Sequence, residues 1–136
     1  MRLLIVEDDP LIGPAMKAVL QNAGHEVIGP LKNAAKAVRL AGRERPDLAL
    51  IDYNLAGGEN GASLARTLKE QHGIPSLMVT GYEHRGDEAR DVALGCLRKP
   101  FRPEALTGAV TTAEELQSGL RPTDVPPALQ LFKTAA

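Results

Sequence analysis

Pro46-Asp47-Leu48-Ala49-Leu50-Ile51-Asp52-Tyr53-Asn54-Leu55 is the stretch on which the fold turns. Four consecutive apolar residues run directly into a carboxylate, and the turn formers Gly57, Gly58, Asn60 and Gly61 follow. A run that short, opened by a proline and apolar on both faces, predicts a buried central strand. Asp52 then stands where the strand leaves the sheet. A single Asp there is ordinarily a helix cap or a turn former. Three further apolar runs end in a similar way, however. Leu3-Leu4-Ile5-Val6 ends in Glu7-Asp8-Asp9, Ser76-Leu77-Met78-Val79 in Thr80, and Leu94-Gly95-Cys96-Leu97 in Arg98-Lys99-Pro100.

Working outward, the segments between these runs carry helical spacing. Asp9 as a cap and Pro10 as first helical residue open a helix to about Ala23, with Leu11, Ile12, Ala15, Met16, Val19 and Leu20 on one face and Pro14 disturbing its first turns. A weaker strand is expected over 26–29, then helices over about 33–41, 61–71 and 103–117. The charged stretch 83–91 reads as a loop and a weak helix. Strands alternating with helices argue for βαβ units. The expected fold is α/β: a flavodoxin-like, doubly wound (βα)5 three-layer sandwich around a parallel five-stranded sheet of order 2-1-3-4-5. A ligand site in such a sheet lies outside the carboxyl ends of the strands. Residues 1–118 make up this domain. Residues 119–136 are expected to be an extension, a linker around Pro122, Pro126 and Pro127 and then a short amphipathic turn or helix over 128–132.

With 136 residues, 43% hydrophobic and 24% charged, the chain is an ordinary globular domain. Its net charge of −1 offers no electrostatic case for nucleic acid or an anionic membrane. No apolar run approaches the roughly 18 residues of a membrane span. The first residues lack the organisation of a signal peptide, so the expected location is cytoplasmic. One Cys and three His make neither a disulfide nor a zinc cage.

In the order 2-1-3-4-5, the first and third strands are neighbours, and Glu7, Asp8 and Asp52 converge. Three carboxylates so close repel, and at least one pKa rises unless a cation intervenes. A hard divalent cation resolves this, and Mg²⁺, with Mn²⁺ as a substitute, suits the donor set. The fourth strand brings the Thr80 hydroxyl to the same mouth and the fifth brings the Lys99 ammonium. An acceptor carboxylate, a cation, a hydroxyl donor and a lysine are the requirements of phosphoryl transfer to Asp.

Four motifs carry a family resemblance: Leu-Ile-Val-Glu-Asp-Asp at 4–9, Ile-Asp-Tyr-Asn-Leu at 51–55 with Gly57 to Gly61, Val-Thr-Gly at 79–81, and Arg-Lys-Pro-Phe at 98–101. In this order and at this spacing the chain, from residue 2 to about 117, resembles the receiver domain of two-component response regulators. The resemblance implies Asp52 as phosphoacceptor, Asp8 as a direct metal ligand, Glu7 acting largely through water, and the Asn54 backbone carbonyl completing the shell. It implies that Thr80 and Lys99 hold phosphoryl oxygens, and that the Lys99–Pro100 bond is cis. Asp9, beside Pro10, is a cap first. The implied phosphodonor is a sensor histidine kinase or a histidine phosphotransfer protein. The downstream partner is an unnamed protein, with nucleic acid and membrane excluded as targets and a homodimer left open.

Two departures stand out. Many receivers have an aromatic three residues before the lysine that changes rotamer with the Thr, and here that place is Cys96, a small buried hydrophobe. Thr80-Gly81-Tyr82 resembles instead a subgroup with a Phe-Ala-Thr-Gly-like motif, associated with HWE-type kinases, although Met78-Val79 replaces Phe-Ala. Read-out is therefore expected through Thr80, Gly81, Tyr82 and the segment after them, rather than through the strand carrying Cys96 and leading to Pro100. One alternative is a small aspartyl-phosphate phosphohydrolase, but the place of its acid/base Asp holds Asn54, which cannot exchange a proton. A phosphorylation-independent receiver scaffold is the other, and retention of Glu7, Asp8, Asp52, Thr80 and Lys99 together opposes it.

Overall fold

Leu48–Asp52 is buried at every position, as a run apolar on both faces requires, and forms strand β3 in the middle of a sheet. The computed structural model describes residues 1–81 and 88–132. In chain order the elements are β1 (Arg2–Val6), α1 (Ile12–Asn22), β2 (Glu26–Leu31), α2 (Ala34–Glu44), β3, a 3-10 turn (Ala56–Gly58), α3 (Gly61–His72), β4 (Ser76–Thr80), β5 (Gly95–Arg98), α4 (Pro103–Gln117) and β6 (Leu129–Leu131). The strands lie in the order β2-β1-β3-β4-β5-β6. The first five pair in parallel, and β6 runs antiparallel to β5.

Strand alternation divides the core into two layers. Leu4, Val6, Ala49, Ile51 and Met78 face α2 and α3, packing with Ala37, Ala41, Ala65 and Leu68. Leu3, Ile5, Leu48, Leu50, Leu77 and Val79 face α1 and α4, meeting Met16, Leu20, Leu106 and Val110. The fold is the flavodoxin-like α/β sandwich that the strand–helix alternation implies.

Besides β2, which runs on through Pro30 to Leu31, three elements differ from the sequence reading. Helix α1 begins at Ile12, not Pro10. Pro14 has no N–H to give the Pro10 carbonyl, so that first turn cannot close. The Asp9 carboxylate caps the start instead, its Oδ1 accepting from the amides of Leu11 (2.8 Å) and Ile12 (3.1 Å). Helix α2 runs on to Glu44, past the expected end near Ala41.

The third difference is the sheet itself, which has six strands rather than five. Residues 129–131, expected in a turn or short helix, form the added strand. The alternation Leu129, Gln130, Leu131, Phe132 gives both sheet faces an apolar residue, and β5 presents backbone groups that would otherwise be an unpaired edge.

Candidate functional site

Parallel register brings the strand ends together. Val6 pairs with Ile51, so Glu7 and Asp52 emerge side by side. Asp52 pairs with Val79 and Thr80 with Arg98, so Thr80 and Lys99 follow one residue further along the neighbouring strands. The backbone closes this mouth: the Tyr53 amide donates to the Val79 carbonyl (3.0 Å) and the Lys99 amide to the Thr80 carbonyl (2.7 Å). Thr80 is buried. The Lys99–Pro100 peptide is cis.

Ligand oxygens of Glu7, Asp8 and Asp52 lie within 4.8 Å of one another. The Lys99 ammonium sits between two of them, 2.8 Å from Glu7 Oε1 and 3.4 Å from Asp52 Oδ2. The Glu7 side chain is only 2% exposed. Its Oε1 takes that ammonium as its partner. Asp52 Oδ1 accepts from the Asn54 amide at 3.3 Å. Asn54 itself bridges to Asn60, whose side chain caps α3. The acceptor loop is thereby pinned to the helix that follows it.

The electrostatics follow from this crowding. Burial, and then the adjacent Asp52 carboxylate, hold the Glu7 carboxyl above its usual range, although Lys99 pulls the other way. Burial alone would depress the Lys99 ammonium, but Glu7 and Asp52 outweigh it and hold the group above its ordinary value. The donors are all oxygens, and three carboxylates crowd a mouth in which the Lys99 ammonium reaches two of them. That set fits a hard divalent cation.

A pH prediction follows. A raised folded pKa means the neutral Glu7 side chain suits the fold better than the charged one. The stability it contributes is complete below the carboxyl's unfolded pKa and is lost as pH rises through the folded value. With a chelator present, Glu7→Gln should match the parent in acid and exceed it in stability at neutral pH. Urea unfolding of both proteins between about pH 4 and 8 reads this. A parent as stable as the variant at neutral pH would contradict the raised carboxyl.

The remaining residues from the sequence reading fall as follows. Asp8 is half-buried beside the site, Asn54 exposed at its rim, and Pro100 next to Lys99. Cys96 is buried, its thiol pushed up to about 11 by burial. Gly81 follows Thr80 directly, and Tyr82 lies outside the described residues, as do 83–87 of the charged stretch. Residues 88–92 are in a helical turn, with the Ala93 amide donating to the Ala89 carbonyl at 2.8 Å, and the rest of the expected weak helix lies outside the described residues. Sequence reasoning missed Phe132, which packs in the same cluster as Cys96. The alternation in Leu129-Gln130-Leu131-Phe132 was the available signal.

A five-strand parallel core with acidic groups and a lysine at its carboxyl-end mouth defines the class: an α/β domain with a charged crevice, built like the receivers. Residues 3–111 match the family model of the response regulator receiver domain. The phyllosphere-induced regulator PhyR of Methylorubrum extorquens is 32% identical over 123 residues, 88% of this chain and 45% of that protein. The DNA-binding response regulator MtrA of Mycolicibacterium smegmatis is 35% identical over 114 residues, 80% of this chain and 48% of MtrA. A crystal structure of the signal receiver domain of a modulated diguanylate cyclase from Desulfovibrio desulfuricans superposes with a TM-score of 0.79 at 30% identity, covering 86% of this chain and 95% of the other. This chain belongs to the response regulator receiver family, and its place is in two-component signalling. It spans about half the length of these curated relatives. Receivers are regulators rather than conventional enzymes. Among the described residues, no helix is long and apolar enough to cross a membrane.

Proposed function

We propose that this protein accepts a phosphoryl group on Asp52, in a Mg²⁺-dependent way, from a sensor histidine kinase or a histidine phosphotransfer protein. The observation that carries the reading is the single mouth in which Lys99 spans Glu7 and Asp52 while Asp8 adds a third carboxylate. Asp8 and Asp52 would hold the metal directly, Glu7 through water, and the Asn54 carbonyl would complete the shell. The metal supplies charge neutralisation at the phosphoryl oxygens.

An Asp52 carboxylate oxygen forms the new P–O bond as the P–N bond to the donor imidazole breaks. Lys99 moves from its resting carboxylate contacts to a phosphoryl oxygen, which keeps positive charge where negative charge accumulates. The Thr80 hydroxyl donates to another phosphoryl oxygen. Asn54 stands where a hydrolase would need a proton-exchanging group, so the phosphoryl group persists.

The donor's approach is marked by an apolar groove of about 310 Å³ between α1 and α4, lined by Leu11, Ile12, Met16, Phe101 and Leu106 and reaching Lys99. Leu11 at its rim is 80% exposed. An apolar helix face carrying a phosphohistidine fits a groove that opens onto the acceptor mouth.

Intact mass after incubation with acetyl phosphate, with and without Mg²⁺, tests the reading. Phosphoryl mass should appear only with the metal. Asp8→Ala should weaken Mg²⁺ binding in calorimetry about tenfold or more, and Glu7→Ala less, since Asp8 is given the direct bond. Both variants binding Mg²⁺ like the parent would place the metal elsewhere.

A further inference from the structure

Strand β6 is docked through close backbone approaches. It pairs with β5 in the register Gly95↔Leu131, Cys96↔Gln130 and Leu97↔Leu129. The Phe132 amide donates to the Leu94 carbonyl (2.9 Å) and the Arg98 amide to the Ala128 carbonyl (3.0 Å). A Cβ at Gly95 would lie 2.5 Å from the Gln130 carbonyl oxygen, and one at Gly108 would lie 2.8 Å from Pro126 Cγ. Two elements therefore carry a glycine where the segment crosses them. A tail draped at random needs neither.

Alternation sends Leu129 and Leu131 to the α1/α4 layer and Phe132 to the opposite face, the face of Cys96. There Phe132 is 8% exposed, in one cluster with Cys96, Ala89, Val92 and Ala93. The Arg90 guanidinium lies 5.2 Å from its ring centroid, a cation–π contact. An aromatic thus occupies the Cys96 face after all, but it comes from the C-terminal segment.

Arg90, Ala89, Val92 and Ala93, which meet Phe132 or share its cluster, belong to the described part of the chain leading into β5, downstream of Thr80 and Gly81. Three described side-chain contacts tie that stretch to α3 and its cap. Asn60 Nδ2 donates to Glu88 Oε2 at 2.8 Å, Arg66 pairs with Asp91 at 3.0 Å, and Lys69 Nζ donates to the Asp91 carbonyl at 3.4 Å. All three are exposed, and such contacts contribute little. Asn60 is also the bridge partner of Asn54, two residues beyond Asp52. One wall of the Phe132 site is therefore a short segment that is buried at Ala89, Val92 and Ala93 and linked through Asn60 to the acceptor loop, while the other is the sheet.

We propose that β6 and Phe132 form a C-terminal latch, seated beside Cys96 in the resting protein and released when Asp52 is phosphorylated. The inference rests on the phosphoacceptor reading above. Rearrangement at Asp52 and Thr80 shifts the linked segment, Phe132 loses its contacts there, and a three-residue strand is too short to stay paired by backbone bonds alone. Release uncovers the outer edge of β5. By linkage, whatever loosens the latch must loosen the wall in turn.

Amide exchange in the full chain tests both directions. Without phosphodonor, Gly95→Ala drives a methyl into the Gln130 carbonyl and should expel β6. The Arg98 and Phe132 amides should then exchange about tenfold faster, and the Val92 and Ala93 amides of the wall should follow. Phe132→Ala should speed the wall amides likewise with Gly95 intact. Wall amides unchanged in both variants would overturn the coupling. With acetyl phosphate and Mg²⁺, the parent should show the same acceleration at Arg98 and Phe132. Phosphoryl mass without that acceleration overturns the latch but spares the acceptor reading. Absence of phosphoryl mass overturns the acceptor reading and, with it, phosphorylation as the release signal.

Discussion

The Asp52→Asn protein should take up no phosphoryl mass from acetyl phosphate and Mg²⁺ under conditions that load the parent fully. The amide is close to isosteric and still offers an oxygen to the Asn54 amide, so the acceptor loop keeps its contact at this position. What disappears is the nucleophilic carboxylate. One of the negative charges facing Glu7 disappears too, and the Asp52 carboxylate is part of what holds the Glu7 carboxyl high. The variant should therefore be at least as stable as the parent when Mg²⁺ is withheld, and circular dichroism should show the same fold. An unchanged phosphoryl mass in Asp52→Asn would move the acceptor elsewhere.

Removing Lys99 should have the second largest effect, and it should appear in two separate measurements. In the resting protein the ammonium is the cation that Glu7 and Asp52 share. Deleting one partner of a buried pair strands the other charge, at a loss of about 3–5 kcal/mol when burial is complete. The Lys99 side chain is 19% exposed, so about 2–3 kcal/mol is expected for Lys99→Ala without metal. Much of the loss should return when Mg²⁺ is added, because a second cation then faces the carboxylates. Phosphorylation should not return with it. Loss of a preformed charge at the developing phosphoryl oxygens lowers such rates by about a hundredfold or more. A chelated Lys99→Ala protein as stable as the parent, or one phosphorylated at the parent's rate, would remove Lys99 from the site.

Much of this site was legible because strand ends are local events. The runs before Glu7, Asp52, Thr80 and Lys99 are short and apolar, and each stops at a polar group. Once the five strands are taken as parallel, those groups share a mouth by topology alone. Asp9 was equally legible, since a carboxylate before Pro10 has nearby amides to cap. The start of α1 was less so. Pro14 marked an irregular first turn, but only the hydrogen-bond pattern places the first helical residue at Ile12. The resting pairing of Lys99 with Glu7 was not legible at all, because it depends on distances across four strands, from β1 to β5. Sequence predicts the crowding of three carboxylates, not which oxygen takes the ammonium.

The sequence by itself determined the parallel α/β order, the two helical layers and the residues at the carboxyl ends. These follow from local periodicity, from chain direction and from the burial of apolar runs. Only the tertiary structure decided what becomes of residues 129–132. Their alternation is compatible with a turn, a tail or a strand. The outcome depends on an open edge of β5, on room at Gly95, and on space beside Cys96 that an aromatic of β5 itself would have filled. Each of these conditions belongs to a distant part of the chain, and a strand of three residues forms only where all are met.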